Sequence, residues 1–262
     1  MTRIFAVANQ KGGVGKTTTT VNLAASLAAT RRKVLVIDLD PQGNATMGCG
    51  VDKYAAEINI CDVLLGEAAI SSTMQAVEPE GLFVLPSNSD LTAAEIELIQ
   101  MDEREKQLSN AIAEVSDRFD YILIDCPPTL NMLTINAMAA ATGVIIPMQC
   151  EYYALEGLSA LMETIEKIRS TINPELEVEG LLRAMFDPRN RLAIDVSNEL
   201  ESHFGDKVYR TLIPRNVRLA EAPSYGMPVV LYDKSSRGAV AYLALAGEIL
   251  RRNQDTLAAT GS

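Results

Sequence analysis

The sequence lacks several features that would point to a particular class of protein. Its 262 residues include only four cysteines, which lie far apart and form no CxxC pair, and a single histidine, His203. This spacing argues against a local zinc or redox motif and suits a reducing compartment. No catalytic partner for His203 is visible nearby, so we expect it to be a surface residue. The cysteines are expected to be unpaired thiols: Cys49, Cys61, Cys126 and Cys150.

Long apolar runs are absent as well. No window offers about 18 consecutive apolar residues, the usual length of a membrane span. The first apolar run, "RIFAVAN", is too short for the hydrophobic region of a signal peptide. The sequence also has no Pro-rich, Ser-rich or repeated tract, which disfavours a disordered scaffold. We therefore expect a cytoplasmic protein.

The balance of apolar and charged residues is that of an ordinary globular chain. Hydrophobic residues make up 48% and charged residues 22% of the sequence, which is enough to bury a sizeable core. The length fits one large domain or two small ones. We favour a single domain over residues 1–262, with a polar tail at 251–262. Gly261 and Ser262 are left out of the fold prediction, because the sequence does not show whether they are native.

Short apolar runs alternate with helical patterns, which predicts an α/β fold. Strands are expected at 4–9, 34–40, 82–87, 121–127, 143–148, 178–185, 208–213 and 229–232. Helices are expected at 16–30, 90–118, 129–141, 152–172 and 190–204. Buried strands joined by helices indicate a doubly wound, mainly parallel sheet flanked by helices. Ligands of such sheets bind at the carboxyl ends of the strands.

The stretch "NQKGGVGKTTTT", residues 9–20, lies between the first predicted strand and the first predicted helix. Three glycines within four positions allow a tight turn whose N–H groups converge on a phosphate. Lys16 would neutralise phosphate charge, and Thr17 would offer its hydroxyl to Mg²⁺. Gln10 departs from the general GxxxxGK[ST] pattern, and a flexible turn is the alternative interpretation. The predicted nucleotide-binding residues of the loop are Lys11, Gly12, Gly13, Val14, Gly15, Lys16, Thr17 and Thr18.

The motif KGGVGKTT is the deviant Walker A signature, and the chain resembles the ParA-type partition ATPases, chromosomal Soj proteins in particular. The resemblance covers about residues 3–250 and rests on many segments together. Besides the loop, the similar segments are "DLDPQGNAT", "YILIDCPPTLNMLTINA", "QCEYYALEGLSAL", "FDPRN" and "IPRNVRLAEAPSYGMPV". It implies a P-loop NTPase fold of the deviant Walker A type, with ATP and Mg²⁺ as cofactors.

The resemblance gives a role to the second lysine of the loop, Lys11. In the family, two ATP-bound subunits face each other in a homodimer, and the signature lysine crosses the interface to the phosphates of the partner subunit. A positive charge supplied in this way stabilises the transferring phosphoryl group as an arginine finger does. The alternative interpretation of Lys11 is a solvated surface charge.

Two further strand ends carry carboxylates. In "VLVIDLDPQG", Asp38 and Asp40 are expected to point to opposite faces by strand alternation. By resemblance, Asp40 positions the attacking water, and Asp38 supports the loop or Mg²⁺ through water. "YILIDCPP" ends in Asp125, the Walker B position, from which a carboxylate can hold an Mg²⁺-bound water or the loop threonine. The predicted catalytic residues are Lys11, Lys16, Asp40 and Asp125, and the predicted metal-binding residues are Thr17, Asp40 and Asp125.

Cys126 raises the alternative of an iron–sulfur protein. Iron proteins of the nitrogenase type share this nucleotide fold and hold a cluster with paired cysteines at a dimer interface. The sequence offers no convincing second ligand. We therefore interpret Cys126 as a buried thiol.

The segment "TLIPRNVRLAEAP" resembles the part of the family that holds adenine, which implies adenine contacts for Pro214 and Asn216. The amide of Asn216 has both a donor and an acceptor and suits the adenine edge. A helix-capping role is the alternative for Asn216.

Charge is distributed unevenly along the chain. The formal net charge is −11, which by itself argues against nucleic acid. Residues 38–182 carry six basic and 25 acidic side chains, whereas residues 183–237 carry nine basic and seven acidic ones. A basic face could bind non-specific double-stranded DNA through phosphates, more strongly as a dimer. Arg189 and Arg218 are the candidate phosphate contacts, although either could be an ordinary solvated charge.

The family resemblance also implies how the protein works. ATP makes a dimer, the dimer binds nucleoid DNA, and a ParB/Spo0J-type centromere-binding protein stimulates an otherwise slow hydrolysis and releases it. The alternatives are a MinD-like membrane-associated ATPase and a nucleotide-stabilised scaffold that does not hydrolyse ATP. The C-terminal stretch lacks the basic and apolar anchor that membrane binding would need, so no membrane partner is expected.

Overall fold

The computed structural model describes the backbone of residues 2–260 and the side chains of residues 2–253. Seven strands lie in this part of the chain: β1 (Arg3–Val7), β2 (Val34–Asp38), β3 (Gln75–Val77), β4 (Leu82–Leu85), β5 (Tyr121–Asp125), β6 (Gly143–Met148) and β7 (Glu177–Arg183). They form one sheet in the order β3-β4-β2-β5-β1-β6-β7. Every neighbouring pair is parallel except β3 with β4, which is antiparallel. The doubly wound, mainly parallel sheet is therefore confirmed.

Helices cover both faces of the sheet. Along the described chain they are α1 (Lys16–Ala28), α2 (Asn44–Gly48), α3 (Ile60–Leu64), α4 (Ile70–Thr73), α5 (Leu91–Leu98), α6 (Gln107–Ala113), α7 (Met132–Ala140), α8 (Ala154–Thr171), α9 (Arg191–Phe204), α10 (Val217–Glu221), α11 (Val229–Tyr232) and α12 (Arg237–Thr260). The core on one face includes side chains from α5 to α9, and the core on the other face includes side chains from α1 and α12. Successive residues of β1 alternate between them: Phe5 and Val7 join one core, and Ala6 joins the other.

The strand register brings the predicted acidic residues together. Asp38 and Asp125 are paired residues at the carboxyl ends of β2 and β5. Val7, the last residue of β1, is the partner of Asp125 on its other side. The loop that follows β1 therefore begins beside both carboxylates, at the sheet edge where ligands of doubly wound folds bind.

Three predicted elements differ from the structure. The run at 229–232 is the short helix α11 and not a strand, and the run at 208–213 contributes only an isolated bridge at Val208. The helix expected over 90–118 is divided into α5, α6 and a 3₁₀ turn at Ser116–Arg118. Short apolar runs do not distinguish a strand from a buried helix turn, which explains the error at 229–232.

The prediction of a single domain with a polar tail stays a prediction. The backbone of α12 is helical through Thr260, and Gly261 and Ser262 lie outside the described residues. Across residues 2–260, no helix is both long enough and apolar enough to span a membrane.

Candidate functional site

The loop between β1 and α1 has the backbone shape of an anion-binding turn. Gly13 and Gly15 adopt positive φ values of 73° and 92°, which only glycine adopts without strain. A Cβ at Gly12 or Gly13 would have no atom within 4 Å, so this side of the loop is open. No side chain caps the N-terminus of α1, and no described residue accepts a hydrogen bond from the N–H groups of residues 12–15. The loop therefore offers a set of donors to an anion.

Lys16, the first residue of α1, is the buried cation of this loop. Its side chain is largely enclosed, and its ammonium donates to the backbone carbonyl of Lys11 at 3.3 Å. Burial lowers the pKa of Lys16, against the attraction of Asp125 and Asp40. A desolvated ammonium beside a donor-rich turn favours a negatively charged ligand.

Asp125 is joined to the start of α1 by two threonine hydroxyls. Thr17 donates to one carboxylate oxygen at 2.7 Å, and Thr20 donates to the other at 3.0 Å. Burial, and after it the charge of Asp38, raises the pKa of Asp125 to about 8. The atoms grouped here are carboxylate and hydroxyl oxygens, which are the ligands that Mg²⁺ prefers. These oxygen ligands fit the predicted metal site, and a bound cation would favour the ionised form of Asp125.

Asp38 and Asp40 have different surroundings. Asp38 is fully buried, and one carboxylate oxygen accepts hydrogen bonds from both the N–H and the hydroxyl of Thr46 at 2.7 Å. Burial raises the pKa of Asp38 to about 6. Asp38 thus supports the loop after β2, as one of its two expected roles requires. Residues two apart on a strand point to the same face, and β2 ends at Asp38, so strand alternation cannot place Asp38 and Asp40 on opposite faces, and that part of the prediction is wrong. Asp40 lies in the turn and accepts the N–H of Gln42 at 2.9 Å.

Lys11 forms an ion pair within its own chain. Its ammonium lies 2.5 Å from a carboxylate oxygen of Glu151, and both side chains are about half exposed. Glu151 lies three residues after the end of β6, so the loop before α1 is tied to the segment that leads into α8. Neither Glu151 nor its neighbour Gln149 was singled out from the sequence. Their only signal was the segment "QCEYYALEGLSAL", in which no local pattern indicates a contact with residues 136 or 140 positions away.

Comparison with known proteins decides the family. The model of an AAA-domain family matches residues 2–178. A Pseudomonas putida protein described as uncharacterized is 62% identical over 97% of both chains. The sporulation initiation inhibitor protein Soj of Bacillus subtilis is 51% identical over 95% of this chain and 98% of its own. The chromosome partitioning protein ParA of Caulobacter vibrioides is 49% identical over 97% of this chain and 96% of its own.

The chain belongs to the ParA/Soj family of partitioning ATPases. The resemblance inferred from the motifs is thereby confirmed, and the members of this family are P-loop ATPases. Solved structures of similar fold agree with this family assignment. Cobyrinic acid a,c-diamide synthase of Mycobacterium smegmatis with bound ADP and magnesium has a TM-score of 0.85 and 37% identity, covering 97% of this chain and 96% of its own. The cell division ATPase MinD of Pyrococcus furiosus has a TM-score of 0.78 and 28% identity, covering 96% of this chain and 99% of its own.

In this ParA/Soj chain, the residues predicted to contact adenine lie near the start of α12. Asn216 caps α10, accepting the N–H of Leu219 at 3.3 Å, so the capping alternative describes what its side-chain oxygen does. A Cβ at Gly238 of α12 would lie 3.2 Å from that oxygen. Pro214 forms an isolated bridge with Phe186. The adenine contacts of Pro214 and Asn216 remain predictions.

The two candidate DNA-contacting arginines of the ParA/Soj chain are exposed but paired. The side chain of Arg189 is 88% exposed and forms an ion pair with Asp187 at 2.8 Å. Arg218 is half exposed and pairs with Glu221 at 2.8 Å and with Asp233 at 3.3 Å. Both can reach solvent, and each would exchange a carboxylate partner for a phosphate. Their role in DNA binding remains a prediction.

Within the described residues, the cysteines and the histidine show no arrangement for chemistry. All four cysteines are buried and unpaired, as predicted. Burial raises the pKa of the Cys126 thiol well above its usual value, which fits a structural thiol. His203 lies on an exposed part of α9, with its Nδ1 at 2.9 Å from the carbonyl of Glu199.

Proposed function

We propose that this chain is an ATP-dependent DNA-partitioning switch that binds ATP and Mg²⁺ at the loop between β1 and α1. The observation that carries the proposal is the meeting of three features at one sheet edge: the open glycine turn, the buried Lys16 and the Asp125–Thr17 contact. These are the parts of a phosphate site with a neighbouring cation site. The magnesium-containing structure of the Mycobacterium smegmatis relative supports this assignment.

Each residue of the proposed ATP site has a separate role in hydrolysis. The N–H groups of residues 12–15 and the ammonium of Lys16 hold and neutralise the phosphates. Thr17 and Asp125 hold the cation, which, when bound, neutralises the charge that develops on the phosphate oxygens. Asp40, in the turn after β2, orients the attacking water. Hydrolysis is slow in the absence of a partner protein.

The switch itself depends on dimerisation. ATP binding drives a sandwich homodimer in which Lys11 leaves Glu151 and reaches the phosphates of the partner subunit. The cost of breaking an exposed ion pair is small, about 0.2–1 kcal/mol, so the 2.5 Å contact with Glu151 is compatible with this movement. A charge delivered at the transferring phosphoryl group stabilises the transition state, and turnover is therefore coupled to the dimer.

The dimer binds non-specific double-stranded DNA of the nucleoid, and a ParB-type partner stimulates hydrolysis and releases it. Arg189 and Arg218 are the proposed phosphate contacts. The name of the Caulobacter vibrioides relative, a chromosome partitioning protein, supports a role in partitioning. Weak contacts on each subunit add up in a dimer, so nucleotide-dependent dimerisation is enough to switch DNA binding on.

The test is DNA binding by the wild type with ATP, with ADP and without nucleotide, alongside Lys16→Ala. We expect binding to be strongest with ATP and to be lost in Lys16→Ala, because that loop lacks its main counter-charge and no longer holds nucleotide. Equal DNA binding in all three nucleotide states, or unchanged ATP affinity of Lys16→Ala, would contradict the proposal.

The likeness to MinD favours a second candidate, a membrane-associated positioning ATPase. Liposome co-sedimentation with ATP separates the two: the partitioning switch stays in the supernatant, whereas the MinD-like protein sediments. Steady-state ATP turnover with DNA and a ParB-type partner separates the switch from the non-hydrolytic scaffold, because only the switch is stimulated.

A further inference from the structure

We propose that Gln149 is a positioning residue of the nucleotide site, whose side-chain amide fixes the peptide between Gly13 and Val14 in the orientation that serves a phosphate. This inference rests on the proposed ATP binding. It adds a residue outside the loop to the machinery that shapes the loop.

The side chain of Gln149 reaches the loop from the end of the neighbouring strand. Gln149 follows β6 and is half-buried. Its Nε2 lies 3.1 Å from the carbonyl oxygen of Gly13 and 3.3 Å from the sulfur of Met185. Both neighbours are acceptors, so the amide nitrogen, and not the amide oxygen, must face them.

The contact with Gly13 determines where the next N–H points. In a planar trans peptide the C=O of one residue and the N–H of the next point in opposite directions. Because the Gly13 carbonyl points at Gln149, the Val14 N–H points away from it. No described residue accepts a hydrogen bond from that N–H. Gln149 therefore orients a donor that the protein itself does not use.

This loop needs an external support. Gly13 has a positive φ of 73°, and Gly12 and Gly13 have no Cβ and no atom within 4 Å of the position a Cβ would take. Glycine peptides of this kind have many accessible orientations, and packing does not restrict these two. A hydrogen bond from a side chain on the rigid sheet selects one orientation before the ligand arrives.

Gln149 is itself held from the other side by the end of β7. Met185 has a positive φ of 51°, and its terminal methyl would lie 4.0 Å from a Cβ at Gly15. The N–H of the preceding Ala184 donates to the Met148 carbonyl at 2.8 Å, which ties the end of β7 to the end of β6. The Gln149 amide is thus fixed between the two strand ends and the loop.

The experiment measures ADP affinity by calorimetry for the wild type, Gln149→Met, Gln149→His and Gln100→Met, all at pH 8. Methionine has a similar length but no donor, whereas neutral histidine keeps an N–H. Gln100 is an exposed glutamine after α5 and serves as the matched control. Melting temperature without nucleotide is measured for every variant to check the fold.

We expect Gln149→Met to raise the Kd for ADP by about three- to tenfold, the loss typical of one hydrogen bond. Gln149→His should recover most of this loss, and Gln100→Met should match the wild type. Wild-type affinity in Gln149→Met would overturn the inference. Equal loss in the methionine and histidine variants, together with lower melting temperatures, would make the role of Gln149 purely structural and would also overturn it. A wild type that does not bind ADP would instead refute the proposed function, and the inference with it.

Discussion

Replacing Glu151 with glutamine measures how strongly the signature lysine is held within its own subunit. Lys11 and Glu151 form an ion pair at 2.5 Å, with side chains 50% and 51% exposed. Exposed pairs of this kind contribute about 0.2–1 kcal/mol. A symmetric dimer in which both lysines cross the interface must break two pairs. The pairs therefore oppose dimerisation by about 0.4–2 kcal/mol, which is about 2- to 30-fold in the dissociation constant of the dimer.

Sedimentation equilibrium with a non-hydrolysable ATP analogue gives this constant directly. We expect Glu151→Gln to dimerise more tightly than the wild type by this factor, with a difference that shrinks as salt rises, because salt screens exposed charges. Glu156→Gln is the matched control, since it removes an exposed carboxylate of the same segment that forms no ion pair among the described residues. A Glu151→Gln dimer as weak as that of the wild type, or weaker, would refute the reasoning.

Three further predictions concern other parts of the molecule. Asp40→Ala should still bind ATP and dimerise but hydrolyse ATP slowly, because it removes the water-positioning group and not the phosphate cradle; a variant that stays monomeric with ATP in sedimentation would reassign Asp40. Arg218→Ala, measured over a salt series, should lower the magnitude of the slope of log K for DNA against log salt by about 1.8, which corresponds to two phosphates per dimer; an unchanged slope would remove Arg218 from the DNA surface. Burial pushes the pKa of Glu248 upward, but hydrogen bonds from Thr211 and Arg210 outweigh it and leave the pKa below its usual value. This lowered pKa means that the carboxylate stabilises the fold above the pKa of the unfolded chain, and that the stabilisation is lost as pH falls through the lower pKa of the folded state. Chemical unfolding of Glu248→Gln should therefore show lower stability than the wild type at pH 7 and a smaller difference under acidic conditions; the same difference at both pH values would contradict this.

The central strands could be predicted from sequence because their environment is uniform. Every residue of β2 and β5 is buried, so the sequence of each reads as an apolar run that ends in an aspartate. The edge strand β3 has only three residues, two of them exposed, and therefore carries no recognisable pattern. At 229–232 an apolar run of four residues packs as a helical turn against α1, where the Val229 N–H donates to Asn22 at 2.7 Å. A contact between residues so far apart in the sequence is not visible in the local pattern.

The same distinction applies to the candidate site. The loop residues, Asp40 and Asp125 could be proposed as site residues because they belong to contiguous motifs at strand ends; their roles remain predictions. The contacts of Gln149 with Gly13 and of Glu151 with Lys11 could not, because they depend on β6 lying beside β1. Sequence spacing gives no information on which side chain after one strand reaches the loop after another. The expectation that Asp38 and Asp40 point to opposite faces failed for another reason, because residues two apart on a strand share a face.

The two edges of the sheet limit how copies of this protein can assemble. At one edge, β3 offers three residues of backbone to an incoming strand, which are too few for stable strand pairing. At the other, Val208 and Pro214 already bridge to Leu181 and Phe186, in and just after β7. Pairing of edge strands from different copies is a common route to uncontrolled polymerisation, and it is therefore disfavoured at both edges. The proposed nucleotide-dependent dimer would therefore have to form through the helical and loop surfaces.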